Sequence, residues 1–118
     1  MTPQEIKAKV QGAYVKALEN RFMQRHRSSG IYDLFRAVKL YGRDAGADFA
    51  ETNLGRIVNE AAEMAGCKEA SLEMLVHGWG KAALDGMAQA LRDLTSLKVE
   101  VSRTTVRLVW AEANPGLV

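Results

Sequence analysis

Three side chains of the sequence belong to the types that bind transition metals: Cys67, His26 and His77. A protein zinc site needs several such ligands, usually at short and recognisable spacings. The sequence has no CxxC, HxxH or HExxH spacing, and Cys67 directly follows Gly66, a residue type that often ends helices. We therefore predict no metal site and interpret Cys67 as a small, half-buried apolar residue.

Nucleophilic catalysis would require a serine or cysteine beside a histidine base. No GxSxG motif occurs, and His77 lies in a glycine-rich segment where it fits either a pocket wall or the flank of a helix break. Asp44 and Asp48 are four residues apart on a predicted helix, but the neighbouring Arg43 is typical of a solvated face. The Gly78–Gly80 segment lacks the remaining glycine of a dinucleotide fingerprint. The sequence thus predicts no catalytic residues, no cofactor and a non-catalytic protein.

Length and composition indicate one globular domain spanning residues 1–118. The chain is 47% hydrophobic and 25% charged, which is ordinary for a globular protein. It has one cysteine, and no apolar run reaches the length of a signal peptide or a membrane span. We expect a reduced, cytoplasmic protein without a membrane partner.

Charge is unevenly distributed along the chain. Residues 1–43 hold nine Lys/Arg against three Asp/Glu, a net +6, whereas the rest holds seven against eleven, a net −4. Such a split is consistent with an anionic partner on the N-terminal side. The interpretation we favour is that the two halves face each other, within one chain or across a dimer.

Apolar residues at helical spacing predict four helices. The sequence Thr2-Pro3-Gln4-Glu5 is a capping box with proline at the first helical position, so a first helix covers about 3–25. A second begins near Ile31 and includes Gly42 and Gly46, whose spacing would let another backbone come close. A third covers roughly 53–65, with Gly66 as its C′ residue. A fourth runs from an N-cap at Ser71 to about Thr95, with a break or kink predicted at 77–80.

The hydrophobic period then changes from 3.6 to 2, which predicts a β-hairpin. A turn at Arg103-Thr104 would pair residues 97, 99 and 101 with 110, 108 and 106, and would place every apolar pair on one face. The same register sets Glu100 opposite Arg107. Because a lone hairpin is marginal in water, it must pack on the helices or join a partner's hairpin. The fold class is therefore α+β: four mostly amphipathic helices followed by a C-terminal antiparallel β-hairpin.

Helices followed by a hairpin also match the outline of a winged helix, which makes nucleic-acid binding an alternative. The basic residues available for it are Arg21, Arg25 and Arg27, which cluster around the end of the first helix, and Arg103 at the hairpin tip. The helix before the hairpin, which would enter the major groove, carries Asp85 and Asp93 and fits phosphates poorly.

Two segments resemble a 4-vinyl-reductase-type domain. Residues 78–110 resemble its glycine-containing helix and valine-rich hairpin, and residues 34–51 resemble its helix with two spaced glycines. The chain lacks that family's cysteines between Ser102 and Trp110, and the region between the two segments has no room for its additional strands. The resemblance implies a compact α+β module that dimerises and binds a small hydrophobic ligand between helices and hairpin.

The leading hypothesis is a small ligand-binding or regulatory module that forms a homodimer. Bulky side chains suited to an apolar pocket support it, although each of them would equally fill a core. Besides nucleic-acid binding, a further alternative is an adaptor or structural subunit of a protein complex. The predicted ligand-binding residues are Phe35, Phe49, His77, Trp79, Met87 and Trp110.

Overall fold

A computed structural model of the chain describes residues 1–19, 38–76 and 78–111. Within these residues the chain forms four helices and one three-stranded antiparallel sheet. This confirms the predicted α+β class and the C-terminal hairpin, and adds a strand that the sequence pattern did not predict. The elements are α1 (Pro3–Glu19), α2 (Arg43–Thr52), α3 (Leu54–Gly66), β1 (Ser71–Leu75), α4 (Lys81–Thr95), β2 (Lys98–Val101) and β3 (Thr105–Val109).

Helix α1 begins with the predicted capping box. The backbone N–H of Glu5 donates to the Thr2 hydroxyl, and the backbone N–H of Thr2 donates to the Glu5 carboxylate, both at 3.2 Å. The hydrogen bond from the Thr2 backbone holds the pKa of Glu5 below its ordinary value of 4.5. Ile6 and Val10 are buried on the apolar face of the helix. The predicted continuation to residue 25 lies outside the described residues.

The predicted helix from near Ile31 through Phe49 is confirmed only from Arg43 onward, because residues 38–42 are not helical. These five residues form a strap, and residues 20–37 lie outside the description. In the strap the Leu40 carbonyl accepts the Gly80 N–H at 2.8 Å, and the Val38 carbonyl accepts the indole N–H of Trp79 at 3.0 Å. Carbonyls that a helix would use internally therefore bind a distant segment, and α2 starts only at Arg43.

Two glycines allow α2 and α4 to pack backbone against backbone. A methyl group at Gly46 would overlap the carbonyl oxygen of Ala83, and one at Gly86 would overlap the carbonyl oxygen of Arg43. Each helix thus supplies one glycine at the point where the other's main chain passes. The close approach predicted for Gly46 is confirmed, whereas Gly42 is the extended N-cap of α2 and has no such neighbour.

Helix α3 matches its prediction, but its C-terminal cap differs. The N–H of Glu69 bonds to the Met64 carbonyl and the N–H of Lys68 to the Ala65 carbonyl, both at 3.0 Å. This is a Schellman motif, in which the C′ residue adopts a left-handed conformation. Here that residue is Lys68, with φ 67°, and Gly66 belongs to the last helical turn.

The predicted helix start at Ser71 is also wrong, because residues 71–75 form β1 and α4 begins at Lys81. Leu72 and Met74 are buried between more exposed neighbours, the alternation of a strand with one covered face. The predicted break at 77–80 is confirmed, with Gly78 at φ 82°, a conformation that favours glycine. Strand β1 thus precedes this glycine segment, where the sequence pattern predicts no strand. Residue 77 lies outside the description.

The hairpin of β2 and β3 has the predicted register. Val99 lies opposite Leu108, Glu100 opposite Arg107, and Val101 opposite Val106. The N–H of Ser102 bonds to the Thr105 carbonyl at 2.9 Å, so the connection is the predicted two-residue turn without glycine. Leu97 and Trp110, predicted as a further pair, are both buried just beyond the ladder.

Strand β1 completes the sheet by pairing antiparallel with β3, which gives the order β1-β3-β2. The hairpin therefore gains its third strand from its own chain. The inner face of the sheet packs on α4, and β1 also packs on α3. Its outer face carries charge: Arg107 lies between Glu73 and Glu100 in the register, 3.6 Å from the Glu73 carboxylate.

We predict that Gly86→Ala and Gly46→Ala each lower the free energy of unfolding by about 2 kcal/mol or more, since the added methyl meets backbone rather than a side chain that can move. Urea denaturation measures this. Gly12→Ala is the matched control, because nothing lies near that position in α1 and alanine should stabilise it by up to about 1 kcal/mol. Equal stability of Gly86→Ala and the wild type would refute the close contact.

We further predict that Lys68→Gly is more stable than Lys68→Ala by about 1 kcal/mol, because only alanine retains the Cβ that opposes a left-handed backbone. Both variants remove the lysine side chain, so their difference isolates the backbone term. Thermal or urea unfolding of the pair measures it. If alanine proves as stable as glycine, the left-handed cap at this position is incorrect.

Candidate functional site

The four described members of the predicted ligand-binding set do not share one environment. Met87 is fully buried in α4, and Trp110 is 5% exposed at the end of the sheet. Phe49 and Trp79 contact each other in an edge-to-face arrangement, with ring centroids 5.1 Å apart. Phe35 and His77 lie outside the described residues. The ligand-binding role of all six residues stays a prediction.

Trp79 is held from two sides. Its indole N–H donates to the strap at Val38, and the ring of Phe49 packs at 89° to its plane. Edge-to-face aromatic pairs of this kind are favourable beyond the area they bury. Only 7% of Trp79 is exposed, so its position is fixed by the contact of α2 and the strap with the start of α4.

The exposed part of Trp79 faces a groove of about 320 Å³ between the start of α4 and the tip of the β2–β3 hairpin. Leu84 and Val101 complete its apolar lining. Leu84 belongs to the first turn of α4, and Val101 is the last residue of β2, so the two elements meet across the groove. The polar residues that line it are Lys81, Asp85, Ser102 and Arg103. We call this the helix–hairpin groove.

A second groove, of about 260 Å³, lies at the opposite end of the sheet beside Trp110. Its lining includes Lys7 and Gln11 of α1 and Lys98 of β2. Gln11 donates to the Trp110 carbonyl at 3.3 Å, and the Trp110 indole N–H donates to the Glu69 carbonyl at 2.8 Å. The two tryptophans therefore line separate grooves, and only Trp79 lies between helix and hairpin as the predicted pocket requires.

The residues proposed for nucleic-acid binding are only partly described. Arg103 is exposed at the hairpin tip, whereas Arg21, Arg25 and Arg27 lie outside the described residues. In α4, Arg92 donates to the Val99 carbonyl at 2.8 Å and so braces β2 rather than facing a partner. A strand, β1, precedes α4 in the chain. Nucleic-acid binding stays a prediction.

The described residues hold neither a metal-binding cluster nor a helix that could span a membrane. These residues contain no group of three or more His, Cys, Asp and Glu side chains placed to hold a metal ion. Likewise, no helix in the described part of the chain combines the length and apolar character needed to cross a membrane.

Sequence reasoning singled out Trp79 for its size but missed the residues that surround it. The predicted hairpin register places Val101 on the apolar face, opposite Val106. Because that face packs on the helices, the register indicates that Val101 lies near them. The sequence pattern starts the helix at Ser71, ten residues before Lys81, and so does not place Lys81 and Leu84 in its first turn. The groove can be recognised from the sequence only when the start of α4 and the hairpin tip are both predicted correctly.

Comparison with protein-family models, with curated proteins and with solved structures finds no match to this chain.

Proposed function

We propose that this protein is a non-catalytic ligand-binding module that takes a small hydrophobic molecule into the helix–hairpin groove. The observation that carries the proposal is the placement of Trp79, Leu84 and Val101 together on the lining of one groove between two elements. Small-molecule sites are typically concave, largely apolar and lined by aromatic side chains with a few polar groups. This groove has that composition.

The size and rigidity of the groove favour the same function. Its volume of about 320 Å³ lies near the lower end of the range for ligand pockets. Trp79 is fixed by its hydrogen bond to Val38 and by Phe49, so an aromatic surface is available without rearrangement. A preformed surface reduces the entropy lost when a ligand binds.

The proposal predicts that dansylamide, an uncharged aromatic probe, binds the wild-type protein and that Ser102→Phe weakens this binding at least about tenfold. Ser102 lines the groove, and a phenyl ring there would occupy the volume that the probe needs. Probe fluorescence measures affinity. In a Trp110→Phe background, energy transfer from Trp79, then the sole tryptophan, reports where the probe lies.

Thr104→Phe is the matched control, because Thr104 is also exposed at the hairpin tip but does not line the groove. It should bind dansylamide as the wild type does. No binding to the wild type, or equal binding to Ser102→Phe, would contradict the proposed function. Native mass spectrometry of freshly purified protein would show whether a hydrophobic compound is retained.

We also propose that the protein forms a homodimer, and that the outer edge of β1 joins the two copies. The N–H of Val76 bonds to Thr104, and the N–H of Trp110 bonds to Ala70, so the even-numbered residues of β1 face β3. The backbone groups of Ser71, Glu73 and Leu75 consequently point away from the sheet. Within the described residues β1 is an edge strand of the sheet, and edge groups of this kind can accept a further strand.

The other edge of the sheet, at β2, is less available. There the Val99 carbonyl already accepts a hydrogen bond from Arg92. Two β1 strands related by a two-fold axis through Leu72 would set Ser71 of one copy opposite Glu73 of the other. Like charges would then not meet directly across the pair.

Sedimentation velocity over a range of concentrations tests the dimer. We expect Glu73→Pro to raise the dimer dissociation constant at least about tenfold, since proline removes an outward N–H that pairing would use. Glu73→Ala is the control, because it also loses the ion pair with Arg107 but keeps the N–H. A strictly monomeric wild type, or equal dimerisation of both variants, would contradict this proposal.

A further inference from the structure

We infer that the helix–hairpin groove prefers a small molecule whose apolar body ends in an acidic group, such as a carboxylate. This inference rests on the proposed function and names the ligand class for the same groove. It depends on the charges at the rim, which the apolar lining does not determine.

Two cationic side chains stand on opposite sides of the groove. Lys81 belongs to the first turn of α4 and Arg103 to the hairpin tip, and both are exposed. Within the described residues neither takes part in an ion pair. By contrast, Arg107 on the outer face of the sheet is within 3.6 Å of Glu73. The two rim cations are therefore available to an anionic group supplied from outside.

The third charge at the rim is Asp85, which is half-buried one turn after Lys81. Two cations against one carboxylate leave the rim with an excess of positive charge. An anionic group at the rim would thus be attracted by the two cations more strongly than it is repelled by the single carboxylate.

The apolar lining determines the rest of the ligand. Trp79, Leu84 and Val101 offer no charged atoms, so a fully hydrated inorganic anion would gain nothing from them. A molecule with an aromatic or aliphatic body can cover these three side chains while its acidic end remains between Lys81 and Arg103. An amphipathic organic acid satisfies both parts of the groove.

Dansylglycine and dansylamide form a matched pair of probes, since they share the aromatic body and only dansylglycine has a carboxylate. We expect dansylglycine to bind about threefold to tenfold more tightly at low salt, which is the range for two exposed ion pairs. The preference should disappear in Lys81→Gln/Arg103→Gln and diminish as salt is added. Asp85→Asn should increase it, because a repelling carboxylate is removed.

Lys16→Gln/Arg56→Gln is the control, because it changes net charge equally at exposed helix positions that do not line the groove. It should keep the preference of the wild type. If dansylamide binds and Ser102→Phe weakens it, but dansylglycine binds no more tightly or the two double variants behave alike, this inference is overturned and the proposed function stands. If neither probe binds, both are overturned.

Discussion

The contact between α2 and α4 at Gly46 and Gly86 determines how the rest of the described chain is arranged. Because each glycine faces a backbone carbonyl of the other helix, the two main chains approach more closely than any other residue would permit. That approach carries the strap at 38–42 against residues 79 and 80, where two hydrogen bonds hold it. Trp79 is thereby fixed beside α4, and the helix–hairpin groove follows from its position.

The sheet supports the same groove from the other side. Val106 and Leu108 of the central strand are fully buried, so the hairpin is anchored under α4 by its middle and not by its tip. Arg92 adds a hydrogen bond from α4 to β2 near the start of that strand. At the tip, Ser102 and Arg103 can consequently bring polar and charged side chains to the groove without a cost to the core.

Local patterns predicted those elements whose partners are near in sequence. The capping box at Thr2 and Glu5 and the pairing of Glu100 with Arg107 could both be read directly. Strand β1 was missed because Leu72, Leu75 and Val76 fit a helical period as well, and their partners in β3 are distant. The strap was missed for a similar reason, since the Val38 carbonyl bonds to a side chain 41 residues away. The size of Trp79 is enough to suggest it as a pocket residue. The positions of the charged residues around it follow from the start of α4, which tertiary contacts determine and local pattern does not.

The strand order has a consequence for how the chain can fold during its synthesis. β3 is the central strand, yet it follows both β1 and β2 in sequence. Until β3 has been synthesised, β1 and β2 have no partner strand in the described chain, so neither ladder can form. The sheet therefore assembles late, when β3 inserts between β1 and β2.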